Sequence, residues 1–257
     1  MALIARSLLI FFLYVGAVNA QQCDINFNYA VIIDPAHVRM VNHGQTYVQI
    51  NGEHQLFVHG REIQLNNIQK LQLSEYTNGI RSQVPAIVSI AIEGVELGLK
   101  AVNKVISSLT GENSASHQQF QEKFDEMKWR LRSRFNHSDE SYYIAPQDFD
   151  DFDEIFAGEF EKEIEAIVSD SVGSILVAVG EAMTHREEQS TEQRVETFDQ
   201  RIETMGNDLK LDISKQANAL EIKAEAICTS LVKLDAIENI LQQEIPALVE
   251  FNLIETN

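Results

Sequence analysis

The sequence predicts an α+β protein, a small N-terminal antiparallel β-meander packed on a larger helical bundle with long, coiled-coil-like helices. Three observations carry that expectation. Between Asp24 and Leu65 short apolar runs alternate with polar residues, and Asn42 to Gly44, Asn51 with Gly52, and His59 with Gly60 punctuate them as hairpin turns. From Asn66 onward the apolar period changes from two to roughly three and a half. Finally, Val195, Phe198, Ile202, Met205, Leu209, Ile213, Ala217, Leu220, Ala224, Ile227, Leu231 and Leu234 share one helical stripe, interrupted only by an extra step of four near Ile213.

Residues 1–20 read as a secretory signal. Arg6 supplies the positive start, Ser7 to Ala17 the apolar stretch, and Val18, Asn19 and Ala20 the small residues around a cleavage site, so the mature chain is expected to begin at Gln21. The apolar run is too short to span a bilayer, and its nearest rival, Val84 to Leu109, is broken by Glu93, Glu96, Lys100 and Lys104. Gln22 before Cys23 argues against lipid attachment, which wants a small residue there. Residues 21–66 form the meander and 67–257 the helical region, expected to fold with it as one domain.

The chain carries 20 Lys and Arg against 39 Asp and Glu, a formal net charge of -19. Such a surface repels phosphate backbones and anionic lipid, which excludes a nucleic-acid binder. Export into an oxidising compartment and a total of two cysteines predict a bridge from Cys23 to Cys228. Closing a loop of about 200 residues stabilises the fold by up to ~5 kcal/mol in the chain-entropy picture.

Taken in order, the strand candidates are Ile25 to Tyr29, Val31 to Ile33, Val38 with Met40, Tyr47 to Ile50, Leu56 with Val58, and Ile63 with Leu65, which gives four or five short strands. Asn66 or Asn67 then caps a helix with Ile68, Leu71, Tyr76 and Ile80 on its stripe, and Pro85 kinks it or ends it. The stretch to Leu109 is nearly apolar all round, and Gly94 and Gly98 offer a bare patch for a close helix contact. After a loop, Phe120, Phe124, Met127, Leu131 and Phe135 stripe a third helix, flanked by Lys123, Lys128, Arg130, Arg132 and Arg134, with Trp129 nearly opposite. Two readings of these cations stand: contact with an anionic envelope component, or internal pairing with the acidic segment that follows.

That segment is Asp148, Asp150, Asp151, Asp153 and Glu154, interleaved with Phe149, Phe152 and Phe156. Calcium takes several carboxylates, yet the fifth and sixth places counted from Asp148 are Phe152 and Asp153, so the EF-hand pattern fails. A helix N-terminus explains the run more simply, because carboxylates suit the helix dipole and Pro146 suits a first turn. The stripe continues through Phe160, Ile164, Ile167 and Ile175 to Val172 to Met183, where Gly173 and Gly180 again suggest close contacts. Thr184 to Thr191 is a turn into the heptad helix, whose pattern runs on to Pro246. The stutter near Ile213 is the expected place for a break, and Phe251 to Asn257 is expected to fray.

No G-x-S-x-G, H-E-x-x-H, P-loop or G-x-G-x-x-G occurs in the chain, and a bridged cysteine is no nucleophile. His37, His43, His54, His59 and His117 read as turn or surface residues. The expectation is therefore a non-enzymatic protein without a cofactor, a monomer or homodimer, with an envelope protein or lipid as partner. A carboxylate- or metal-dependent hydrolase using Asp148 to Glu154, and an envelope-associated protein using the basic helix, are the alternatives.

The order of features resembles the YggN-like family of periplasmic proteins. The resemblance rests on the signal peptide followed by Cys23, on Asp34, Pro35 and Val38, on Gly60-Arg61-Glu62-Ile63-Gln64-Leu65, on Tyr76, Arg81 and Pro85, and on Cys228 with Ser230, Leu231 and Val232. It implies a periplasmic location and supports the bridge. It implies no activity, ligand or catalytic residue.

Overall fold

The computed structural model describes residues 25–110, 115–138, 140–150 and 191–256. The predicted signal, Cys23, and the predicted fourth helix beyond Asp150 lie outside them. The meander is present. Strands β2 (Ala30–Ile33), β3 (His37–Asn42), β4 (Gln45–Asn51), β5 (Gln55–Val58) and β6 (Arg61–Ile63) pair in sequence order, all antiparallel. His43 and Gly44, then His59 and Gly60, have positive φ at both central positions, the backbone that a two-residue hairpin needs to match strand twist. Tyr47 is a bulge, because the register steps from Met40 against Val48 to Val41 against Thr46.

Other parts of the chain enlarge this sheet. β8 (Ser141–Ile144) pairs with β2, and β7 (Asn136–Ser138) pairs with β8, giving seven strands in the order β6-β5-β4-β3-β2-β8-β7. β1 (Ile25–Phe27) leaves the meander and pairs with β9 (Ile254–Thr256) at the far end of the chain. The expected fraying of Phe251 to Asn257 is thus overturned: Phe251, Leu253 and Ile254 are buried, and their apolar side chains hold the tail in the core.

One sheet face buries Val31, Ile33, Val38, Met40, Val48, Ile50, Leu56 and Val58 against two long helices, α1 (Asn67–Thr110) and α4 (Thr191–Glu244). Asn66 caps α1 by accepting the amides of Ile68 and Gln69, both at 2.9 Å, while Gln69 Oε1 accepts the Asn66 amide at 3.0 Å. That reciprocal pair is a capping box. α1 runs unbroken through Pro85, and α4 runs unbroken through Ile213 for 54 residues, so the expected break at the stutter is absent. A stutter changes where a stripe points without removing any backbone hydrogen bond.

Two packing expectations are corrected. Ile68 and Leu71 are 65% and 71% exposed, because the buried face of α1 is Leu73, Tyr76, Thr77, Ile80, Val84 and Val88, from which they are turned by roughly 150° at 100° per residue. Gly94 and Gly98 face open space, whereas a Cβ on Gly79 would overlap Leu234 of α4. The close helix approach is therefore made by Gly79. Gly79→Val is expected to destabilise the protein by about 1–3 kcal/mol through overpacking, while Gly94→Ala is expected to be neutral or stabilising by up to ~1 kcal/mol. Urea denaturation of the two variants checks both signs.

Candidate functional site

Above the sheet, α1 and α4 are joined by α2 (Ala115–Phe135), which packs on α1. Phe120, Met127, Leu131 and Phe135 of α2 are buried and Phe124 packs beside them, so its apolar stripe is used inside the protein. The basic residues around it are paired. Lys128 and Arg132 reach Glu96 of α1 at 3.2 and 3.1 Å, and Lys123 and Arg130 reach Glu126 one turn away at 3.0 and 2.5 Å. Arg134 binds Asp148 at 2.6 Å, and Trp129 is exposed. A helix lying on a lipid surface would present this stripe outward; here it is turned into the core.

Of the acidic candidates, Asp148 sits in the short α3 (Gln147–Asp150) and is buried. Its Oδ1 accepts two N–H groups of Arg134, at 2.9 and 2.6 Å, and its Oδ2 accepts the Ala145 amide at 2.8 Å. This carboxylate is a structural joint between α2 and the turn after β8. Asp151, Asp153 and Glu154 lie outside the described residues, as does the side chain of Asp150. Among the described residues no group of three or more His, Cys, Asp and Glu is placed to hold a metal.

Among the described residues an open cleft lies between α1, α2 and α4. It consists of two adjoining hollows of about 450 and 350 Å³ that share Lys100, Asn103, Gln121 and Gln216. Leu97, Phe124, Ala219 and Leu220 supply the apolar wall of the first, His117, Leu209, Asp212 and Ile213 part of the second. Lys223 of α4 bonds Glu93 of α1 at 2.5 Å and Lys100 bonds Gln216 at 3.4 Å, two ties across the helices. Lys223 holds Glu93 below the ordinary carboxylate range. The Asn103 carbonyl oxygen is buried without a partner. Three carboxamides, two lysines and the carboxylates of Glu93, Glu96, Asp208 and Asp212 share the lining with aliphatic side chains, a mixed wall that suits a ligand with both polar and apolar parts.

Sequence reasoning missed two further polar joints. Arg81 of α1 donates to the Asp34 carbonyl at 2.6 Å, and the Asp34 carboxylate accepts the amides of Ala36 and His37, with Arg39 at 3.3 Å. Burial alone would raise the Asp34 carboxyl, yet these amides and His37 bring it below its ordinary value. The other joint is Glu238, buried on α4, whose two oxygens accept the amides of Leu253 at 2.7 Å and Ile254 at 3.0 Å. One glutamate among many in the C-terminal half gives no sequence signal of burial.

Fold and cleft define an α+β protein whose sheet carries two long antiparallel helices with an open three-helix groove. The chain belongs to the family described as Protein of unknown function (DUF2884), which matches residues 23–254. No curated protein and no solved structure matches the chain.

Replacing Asp148 by Ala strands Arg134 and the Ala145 amide, and is expected to cost about 1–3 kcal/mol. Lys123→Ala, which removes an exposed pair, is expected to cost less than ~0.5 kcal/mol. Thermal and urea unfolding of the two variants compare them directly.

Proposed function

We propose that this chain is an exported periplasmic protein of the YggN-like group that binds, without chemistry, a segment of another envelope protein in the cleft between α1, α2 and α4. The observation that carries the reading is the cleft itself: an open hollow of about 450 Å³ in which apolar side chains stand beside carboxamides and the charged Glu93, Glu96 and Lys100. A peptide backbone offers both donors and acceptors, which match carboxamides that can donate and accept. Export rests on the N-terminal segment read above. Of the residues that carry the likeness to the YggN-like group, Arg81 donates to the Asp34 carbonyl and Tyr76 is buried.

The bridge from Cys23 to Cys228 belongs to the same reading. No free cysteine stands among the described residues. β9 climbs α4 from Glu238, bound by Leu253 and Ile254, to Asp235, bound by Thr256, and Ile25 lies opposite Thr256. Cys228 lies about 10 Å farther along the same face, and two residues of chain reach ~7 Å, which leaves a gap a disulfide spans.

A photoreactive residue at Ala219 is expected to crosslink an envelope protein in the periplasm, with one at the exposed Lys233 silent and Gln216→Trp suppressing the adduct. Equal labelling from both positions, or none, defeats the binding reading. Intact mass of the exported protein is expected to show no free thiol before reduction and two after it. Cys228→Ser is expected to lower stability by about 2–5 kcal/mol.

A further inference from the structure

The tail of the chain is fastened to α4 by a carboxylate that has no positive partner among the described residues. Glu238 is buried, and its two oxygens accept the Leu253 and Ile254 amides. The titratable groups facing it are Tyr76 from α1, Asp235 from its own helix and Tyr29 from the segment between β1 and β2. Among the described residues no Lys, Arg or His pairs with it. On the other side of the tail the His59 ring packs edge-on against Phe251 at 5.3 Å. The Tyr76 hydroxyl, beside the same carboxyl, is buried outside good hydrogen-bond geometry and so lacks a partner.

We propose that Glu238 makes the β1–β9 clasp a proton-operated latch, held shut when its carboxyl carries a proton and loosened when that proton leaves. A buried anion with no counter-ion, next to the Asp235 carboxylate, is unfavourable. Two amide donors offset part of that cost. The added proton removes the charge and gives the Tyr76 hydroxyl oxygen a donor, while the carboxyl still accepts from the tail amides. Releasing the tail exposes the group to water and restores ordinary acidity.

The sign follows from the two states. Burial, opposed chiefly by the two tail amides and reinforced by Asp235, lifts the carboxyl from 4.5 to about 7 in the closed form. The closed form therefore binds the proton more tightly. Its advantage is complete below the open-state value and is lost as pH rises through about 7. Between those limits the opening equilibrium is expected to increase by roughly 10²-fold, taking ten-fold for each unit.

Amide hydrogen exchange of residues 249–257 in the full disulfide-intact chain, from pH 5 to 8.5 and corrected for intrinsic exchange, reads this directly. Protection of Leu253 and Ile254 is expected to fall by about 10²-fold with a midpoint near neutrality. Glu238→Gln is expected to abolish the step at a lower overall protection, and His59→Gln to leave it in place. A pH-independent wild type, a step retained in Glu238→Gln, or a step lost only in His59→Gln overturns the latch. Should Glu238→Gln not fold, a carboxyl NMR titration of the wild type decides, and a Glu238 midpoint below 5 overturns it.

Discussion

The rest of the structure depends on how closely α1 can approach α4, and that distance is set at Gly79. With no Cβ there, the Leu234 side chain lies against the α1 backbone, and Gln69 can reach the Glu244 carbonyl at 2.9 Å ten residues away on both helices. The two contacts share one register. Any larger residue at 79 must displace the Leu234 side chain or push the helices apart across the face they jointly lay on the sheet. Leu73, Tyr76, Ile80, Val84, Leu231, Leu234 and Leu241 are all buried in that layer. Burial of this apolar surface stabilises the fold far more than the individual polar joints do.

The cleft follows from the same geometry. Low on the helices, sheet and tail cover them on both sides and the α4 seam is buried. Higher up, Leu209, Ile213 and Leu220 are only half-buried and Ala217 and Ala224 are exposed, because the described elements beside them are α1 and α2 alone. The charges of α2 do not open a second surface, since they neutralise Glu96, Glu126 and Asp148 within the protein. The cations of α2 are thus used within the protein, and the cleft is lined by three carboxamides together with Lys100, Lys104 and four carboxylates.

Much of this fold was legible because it rests on local rules. Asn-Gly and His-Gly steps mark hairpins through their φ requirement, and the α2 stripe lies where its spacing puts it. The same rules misplaced the face of α1 near Ile68, because apolar spacing names a stripe without saying which stripe meets the sheet. They also chose Gly94 and Gly98 over Gly79. A glycine pair looks more deliberate than a lone glycine, but only a facing side chain such as Leu234 makes the missing Cβ matter. β8 and β9 are four and three residues long, and their pairing with β2 and β1 is decided by distant sequence. The cleft had no signature at all. Lys100, Asn103, Gln121 and Gln216 come from three helices, and each alone is an ordinary surface residue.

The tail shows why such a chain can keep a group that local rules would forbid. A glutamate in an apolar layer normally destabilises, yet the two tail amides would themselves be orphaned without it, since β9 bonds only β1 on its other side. Leu253 and Ile254 must be buried to close the core, and burying them carries their N–H groups out of water. Glu238 satisfies both with one side chain. Its unfavourable charge is then the residual of a larger gain, and that residual, unlike the gain, depends on proton activity.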